Sequence, residues 1–109
     1  MTVNELIDKL KLKALCLPDG GREVNGAYAG DLLSWVMGRA KADCAWVTIM
    51  SNMNVPAVAQ LADVACVIFA EGVTPEAQVV EAASRHDINL LASPLDTYSI
   101  CAALSVVLP

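Results

Sequence analysis

Basic residues are scarce. Lysine and arginine number 7 against 12 acidic residues, giving a formal net charge of −5. They gather only at Lys9–Lys13 and Arg39–Lys41, so the dense basic face that nucleic acid requires is missing. Histidine occurs once, at His86, and the four cysteines (Cys16, Cys44, Cys66, Cys101) form no Cys-x-x-Cys pair. That spacing argues against a zinc site and leaves the thiols as small hydrophobes in a reducing compartment. A Gly-x-x-x-x-Gly-Lys-Ser/Thr run, which would cradle a nucleotide's phosphates, is absent. So is a long apolar span: the longest uncharged stretch, Cys44–Ala62, is broken by Ser51, Asn52, Asn54 and Pro56. The start, Met-Thr-Val-Asn-Glu, carries acid where a signal peptide would carry base. A cytoplasmic, non-membrane protein is expected. Ser34, Ser84 and Ser99 lack a nucleophile-elbow context, and no acid–base pair stands out. No catalytic residue, metal ligand or cofactor is expected.

Apolar residues, by contrast, are abundant. They make up 56 % of the 109 residues and charged ones 17 %, where domains average roughly 45–50 % and about 25 %. The length suits one domain, residues 1–109, and so small a domain struggles to hide that much apolar surface. Self-association is the simplest outlet. The stretch Asp31–Gly38 sharpens this. Leu32, Leu33, Trp35, Val36 and Met37 crowd barely two helical turns, and one face cannot take them all. They are the candidate homodimer interface.

Between Cys44 and Leu108 one pattern is repeated three times. Short apolar strands, Ala45–Ile49, Ala65–Ala70 and Asn89–Leu91, each run into a polar turn and then a helix. Pro56, Pro75 and Pro94 mark the helix starts. Asn52 or Asn54 is expected to cap the first helix, Thr74 the second and Ser93 the third. Strands that alternate with helices pair in parallel, so the three turns share one edge of a small, mostly parallel α/β sheet. Open α/β sheets bind ligands at that edge. Asn52, Asn54, Glu71, Gly72, Thr74 and Ser93 are therefore candidate ligand residues, for which an anion at the helix N-termini is one use and simple capping the other. Upstream, Thr2 and Glu5 form a capping box, Leu12–Leu17 reads as a strand, and Pro18–Gly21 as a tight turn. Asp31 is expected to cap its helix. Arg22 has two uses: holding a carboxylate or phosphate, or pairing with Asp31.

The run Gly21–Ala40, with Ala45–Ile49, Asn52–Asn54, Leu61–Ile68 and Ala70–Val73, resembles the DRTGG domain family over almost the whole chain. Gly30-Asp-Leu-Leu-Ser34 and Ala70-Glu-Gly72 carry most of the likeness. Arg22 and Gly26 fit the motif that names the family. Gly21, Asn25 and Ala27 stand where it has Asp, Thr and the second Gly. The resemblance implies a fold similar to the N-terminal domain of HPr kinase/phosphorylase and a non-catalytic accessory role. Such domains sit beside others in phosphotransacetylases and in inorganic pyrophosphatases with regulatory CBS domains, where they contribute to dimer contacts. It also implies a regulatory or interaction module that binds a partner protein or small ligand. The alternative is a sensor for a nucleotide or phosphorylated metabolite at the C-terminal edge of the sheet.

Overall fold

A computed structural model describes residues 1–109. In chain order the elements are α1 (Val3–Leu10), β1 (Lys13–Cys16), β2 (Ala27–Ala29), α2 (Leu33–Arg39), β3 (Ala45–Thr48), α3 (Asn54–Ala62), β4 (Cys66–Phe69), α4 (Ala77–Arg85), β5 (Leu90–Ala92) and α5 (Thr97–Val107). The five strands form one sheet in the order β1-β5-β4-β3-β2. Strands β2 to β5 pair in parallel, with Tyr28 beside Trp46, Val47 beside Ile68 and Ile68 beside Leu91. Only β1 runs antiparallel, against β5. The expected mostly parallel α/β architecture is present.

Every residue of β3 and β4 is buried, as parallel strands covered on both faces must be. Side chains alternate between the faces. Trp46, Val67, Phe69 and Leu90 enter one core with Val36, Val58 and Val79. Ala45, Val47, Cys66, Ile68 and Leu91 enter the other with Leu6, Ile100 and Leu104. Helices α2, α3 and α4 therefore cover the first face, and α1 and α5 the second. The three crossovers β2–β3, β3–β4 and β4–β5 stack on one side, opposite α1, and after β5 the chain returns to the side of α1.

The capping box at α1 forms as expected. Thr2 Oγ1 accepts the Glu5 N–H at 3.2 Å, and Glu5 Oε1 accepts the Thr2 N–H at 3.0 Å. At α3 the N-cap position falls on Met53, with no side-chain cap, while Asn52 Oδ1 accepts the Asn54 N–H at 2.9 Å in the turn that leads into the helix. Three other caps differ. Helix α2 begins at Leu33 after an extended Leu32. Asp31 Oδ1 instead accepts the buried Thr48 hydroxyl at 2.8 Å and the Ile49 N–H at 2.9 Å. Those donors lie at the end of β3, beyond the reach of three-residue β2, and need an acceptor. Helix α4 begins at Ala77 after an extended Glu76, not at Pro75. Val73 N–H closes a turn on Ala70 at 3.1 Å, and Thr74, preceding a proline, is biased away from helix. Helix α5 is capped by Asp96, whose Oδ1 accepts the Ser99 N–H at 2.7 Å. Ser93 Oγ takes the Leu95 N–H at 3.1 Å, one turn earlier.

Candidate functional site

Helices α4 and α5 leave the C-terminal ends of adjacent strands β4 and β5 toward opposite faces of the sheet. That divergence opens a crevice between their loops, the arrangement in which open α/β sheets hold ligands. Between β3 and β4 the helices do not diverge, because α3 and α4 follow onto the same face. A cleft of about 190 Å³ lies at the divergence, lined by Gly72 and Thr74 from one loop and Ser93 and Pro94 from the other. Lys13 lines it as well. The antiparallel pairing of β1 sets Lys13 beside Ala92, so the start of β1 reaches the rim where the parallel strands end. Lys13 went unrecognised in the sequence because nothing local gives the direction of β1. The signal that existed was the Lys9–Lys13 cluster itself.

The floor is tied down by backbone. Glu71 and Gly72 follow β4 in left-handed conformation, φ 62° and 71°. Their N–H groups donate to Leu95 O at 2.8 Å and Ser93 O at 3.1 Å. Those two amides thus lock the loops together and have no hydrogen left for an anion.

A second cleft, of about 430 Å³, lies between the β3–α3 and β4–α4 loops and is lined by Ser51, Asn52, Met53, Thr74 and Glu76 among others. Thr74 belongs to both clefts. The N-terminus of α3 offers an anion little here: Asn52 takes the Asn54 N–H through its side chain and the Val55 N–H through its carbonyl, and Pro56 has none. With Glu76 also in the wall, this cleft suits a neutral polar group better than a phosphate.

The structure thus gathers Gly72, Thr74 and Ser93 in one cleft and Asn52 with Thr74 in the other. Glu71 is exposed and Asn54 is the first residue of α3, and neither lines either cleft. Arg22 lies elsewhere. It does not pair with Asp31. Its guanidinium donates to Asp43 Oδ1 at 2.9 Å and to Asp63 Oδ1 and O at 2.8 and 2.7 Å. Asp43 and Asp63 precede β3 and β4, so this clamp sits at the opposite, N-terminal edge of the sheet. Burial works against the charge on Arg22, but its hydrogen bonds to both aspartates outweigh it and raise the pKa.

Helix α2 divides the candidate interface residues. Val36 is fully buried in the core, the correction that the helical spacing requires, and Leu33 is half-buried. Leu32, Trp35 and Met37 face outward at 57, 51 and 47 % exposure. The Arg39 guanidinium stacks 3.6 Å from the centre of a Trp35 ring.

No helix is long and apolar enough to cross a membrane. No family model and no curated protein matches the sequence. Among solved structures, the chain is similar to the CBS and DRTGG domains of the regulatory region of Clostridium perfringens pyrophosphatase, determined in complex with its activator, diadenosine tetraphosphate. The TM-score is 0.76 at 15 % identity, over 99 % of this chain and 47 % of that one. The chain thus spans about half the length of that structure, and at this identity the likeness concerns the fold. With the Gly21–Ala40 resemblance beside it, the chain has the mixed five-stranded α/β fold of a DRTGG-like domain.

Proposed function

We propose that residues 1–109 form a cytoplasmic, non-catalytic regulatory module that works by association, first with a second copy of itself. The outward face of α2 carries this proposal. Trp35 and Met37 on this seven-residue helix, and Leu32 just before it, are each about half exposed, and aromatic residues and Met are enriched in interface cores. Fully burying an exposed side chain of this size contributes about 1.5–3 kcal/mol. These side chains are already partly covered, so the three together supply only a few kcal/mol. Association costs about 4 kcal/mol or more in lost rigid-body freedom. The interface must therefore extend beyond them, and β2, the edge strand whose chain leads into α2, has an unpaired outer side. Light scattering on a sizing column at high micromolar concentration tests this. A dimer mass for the native chain and a monomer mass for Trp35→Glu are expected; a native monomer overturns the proposal.

The cleft between β4 and β5 favours a second role, in sensing a small anionic ligand. Lys13 stands there with Thr74, Ser93 and no carboxylate, and the Clostridium perfringens protein of similar fold binds a nucleotide activator. A ligand selective for the native state raises the melting temperature by mass action. Thermal-shift measurements with adenine nucleotides and sugar phosphates should give a rise for at least one class, lost in Lys13→Gln. No rise with any of them overturns the sensing role.

A further inference from the structure

Lys9, Lys11 and Lys13 are three of the seven basic residues in a chain of net charge −5, and none of them enters an ion pair. All three line the seam where the segment from α1 into β1 runs beside the β5–α5 loop. Lys13 borders the cleft at the β4–β5 divergence. Lys9 and Lys11 border a neighbouring cleft of about 190 Å³ whose walls are mainly apolar: Leu12, Leu95, Ile100 and Ala103. Ser93 lines both. No carboxylate lines either cleft, although acids outnumber bases in the chain.

Small-molecule sites start near 300 Å³. Neither cleft reaches that alone, so a ligand of that size would have to span both across Ser93, the one residue they share. Their chemistries also differ. One offers an ammonium, a threonine hydroxyl and a tight loop. The other offers branched aliphatic walls, with lysine stems that can cover apolar surface while their heads stay at the mouth. Lysine binds phosphate as a compact point charge and needs no fixed bidentate geometry.

We propose that this seam is a two-part site for a small organic phosphate carrying an aromatic body. The phosphate sits at Lys13 and Thr74, the body lies in the apolar cleft against Leu95 and Ile100, and Lys9 and Lys11 add charge at its mouth. The site rests on the sensing role of the β4–β5 cleft and extends it by a second compartment.

Titration of the isotope-labelled chain, followed by backbone amide shifts, tests it with three probes: inorganic phosphate, 1-naphthol and 1-naphthyl phosphate. The expected result is that 1-naphthyl phosphate binds at least about tenfold more tightly than either fragment, moving the amides of Lys13, Ser93 and Leu95. Lys13→Gln should weaken phosphate and naphthyl phosphate alike. Ala103→Leu, which fills the apolar cleft, should weaken naphthyl phosphate and spare phosphate; its melting temperature checks that it folds. Naphthyl phosphate binding no more tightly than phosphate, with both lost in Lys13→Gln, overturns the two-part site and leaves the anion cleft standing. No binding by any probe, or binding indifferent to Lys13, overturns both.

Discussion

Asn89 holds Asp19 from seventy positions away in the chain. Its Oδ1 accepts the Asp19 N–H at 3.0 Å, and its Nδ2 donates to Asp19 O at 2.8 Å and to Ala65 O at 3.0 Å. The side chain is 1 % exposed, in front of β5. It fixes the Pro18–Gly21 turn against the N-terminal end of the sheet, and with it the exit of β1.

Asn89→Ala deletes all three bonds and strands the buried Ala65 carbonyl. An unsatisfied buried acceptor costs about 1–3 kcal/mol, so a loss of about 2–3 kcal/mol is expected in urea unfolding. Faster amide exchange at Asp19 should accompany it. A loss below about 0.5 kcal/mol, the usual range for surface changes, would show that water replaces the side chain at no penalty.

The parallel core was legible because short, nearly continuous apolar runs bounded by turn residues leave few alternatives. Ala45–Thr48 and Cys66–Phe69 fall within one or two residues of the expected strands. The caps were less legible. Thr74, Ser93 and Asp31 each look like N-caps locally, yet backbone bonds from Val73, Leu95 and Ile49 take the chain further before each helix starts. Long-range pairing was the least legible. Nothing near Lys13 says that it lies beside Ala92, and nothing near Arg22 says that it reaches Asp43 and Asp63. The candidate site therefore emerged with two of its three walls. Its cation came only from the topology.

Arg22 ties together two residues in left-handed conformation, Asp43 at φ 67° and Asp63 at φ 57°. The Asp43 N–H also donates to Asp63 O at 2.8 Å, so the turns before β3 and β4 form one unit. Hydrogen bonds to charged groups contribute about 1.5–3 kcal/mol, but Asp63 is largely exposed and solvent screens it. Arg22→Ala should therefore cost about 1–2 kcal/mol. Arg22→Lys should restore less than half of that, because an ammonium cannot reproduce the fork. Urea unfolding of the three proteins measures both. Full recovery by lysine would mean that charge alone, not geometry, holds the turns.

Cys66 is fully buried, and burial pushes its thiol up to about 12. Burial raises Cys44 as well, and raises the half-buried Cys16 and Cys101. The thiolate is the reactive form. A disulfide reagent at mildly alkaline pH should thus modify Cys16 and Cys101 slowly in the native chain. Cys44 and Cys66 should react only at the rate of structural opening. Four equivalent thiols before any denaturant is added would contradict the packing of both cores.

Acid should weaken the fold partly through two caps. Hydrogen bonds from the Thr2 backbone and then its hydroxyl hold Glu5 below its ordinary value of 4.5. Hydrogen bonding from Ser99 holds Asp96 below 3.8. A carboxylate whose pKa is depressed by folding adds stability that is complete above its unfolded value and lost as pH falls through the folded one. Between pH 7 and about 5 these two groups should add no slope; below that, stability should drop. The double variant Glu5→Gln, Asp96→Asn keeps side chains that can still cap but removes both titrations. All other carboxylates titrate alike in the two proteins and cancel. Urea midpoints should therefore differ at neutral pH, converge as pH falls, and meet once both native carboxylates are protonated. A gap that stays constant with pH would place the acid sensitivity in other groups and leave the two caps as neutral hydrogen bonds.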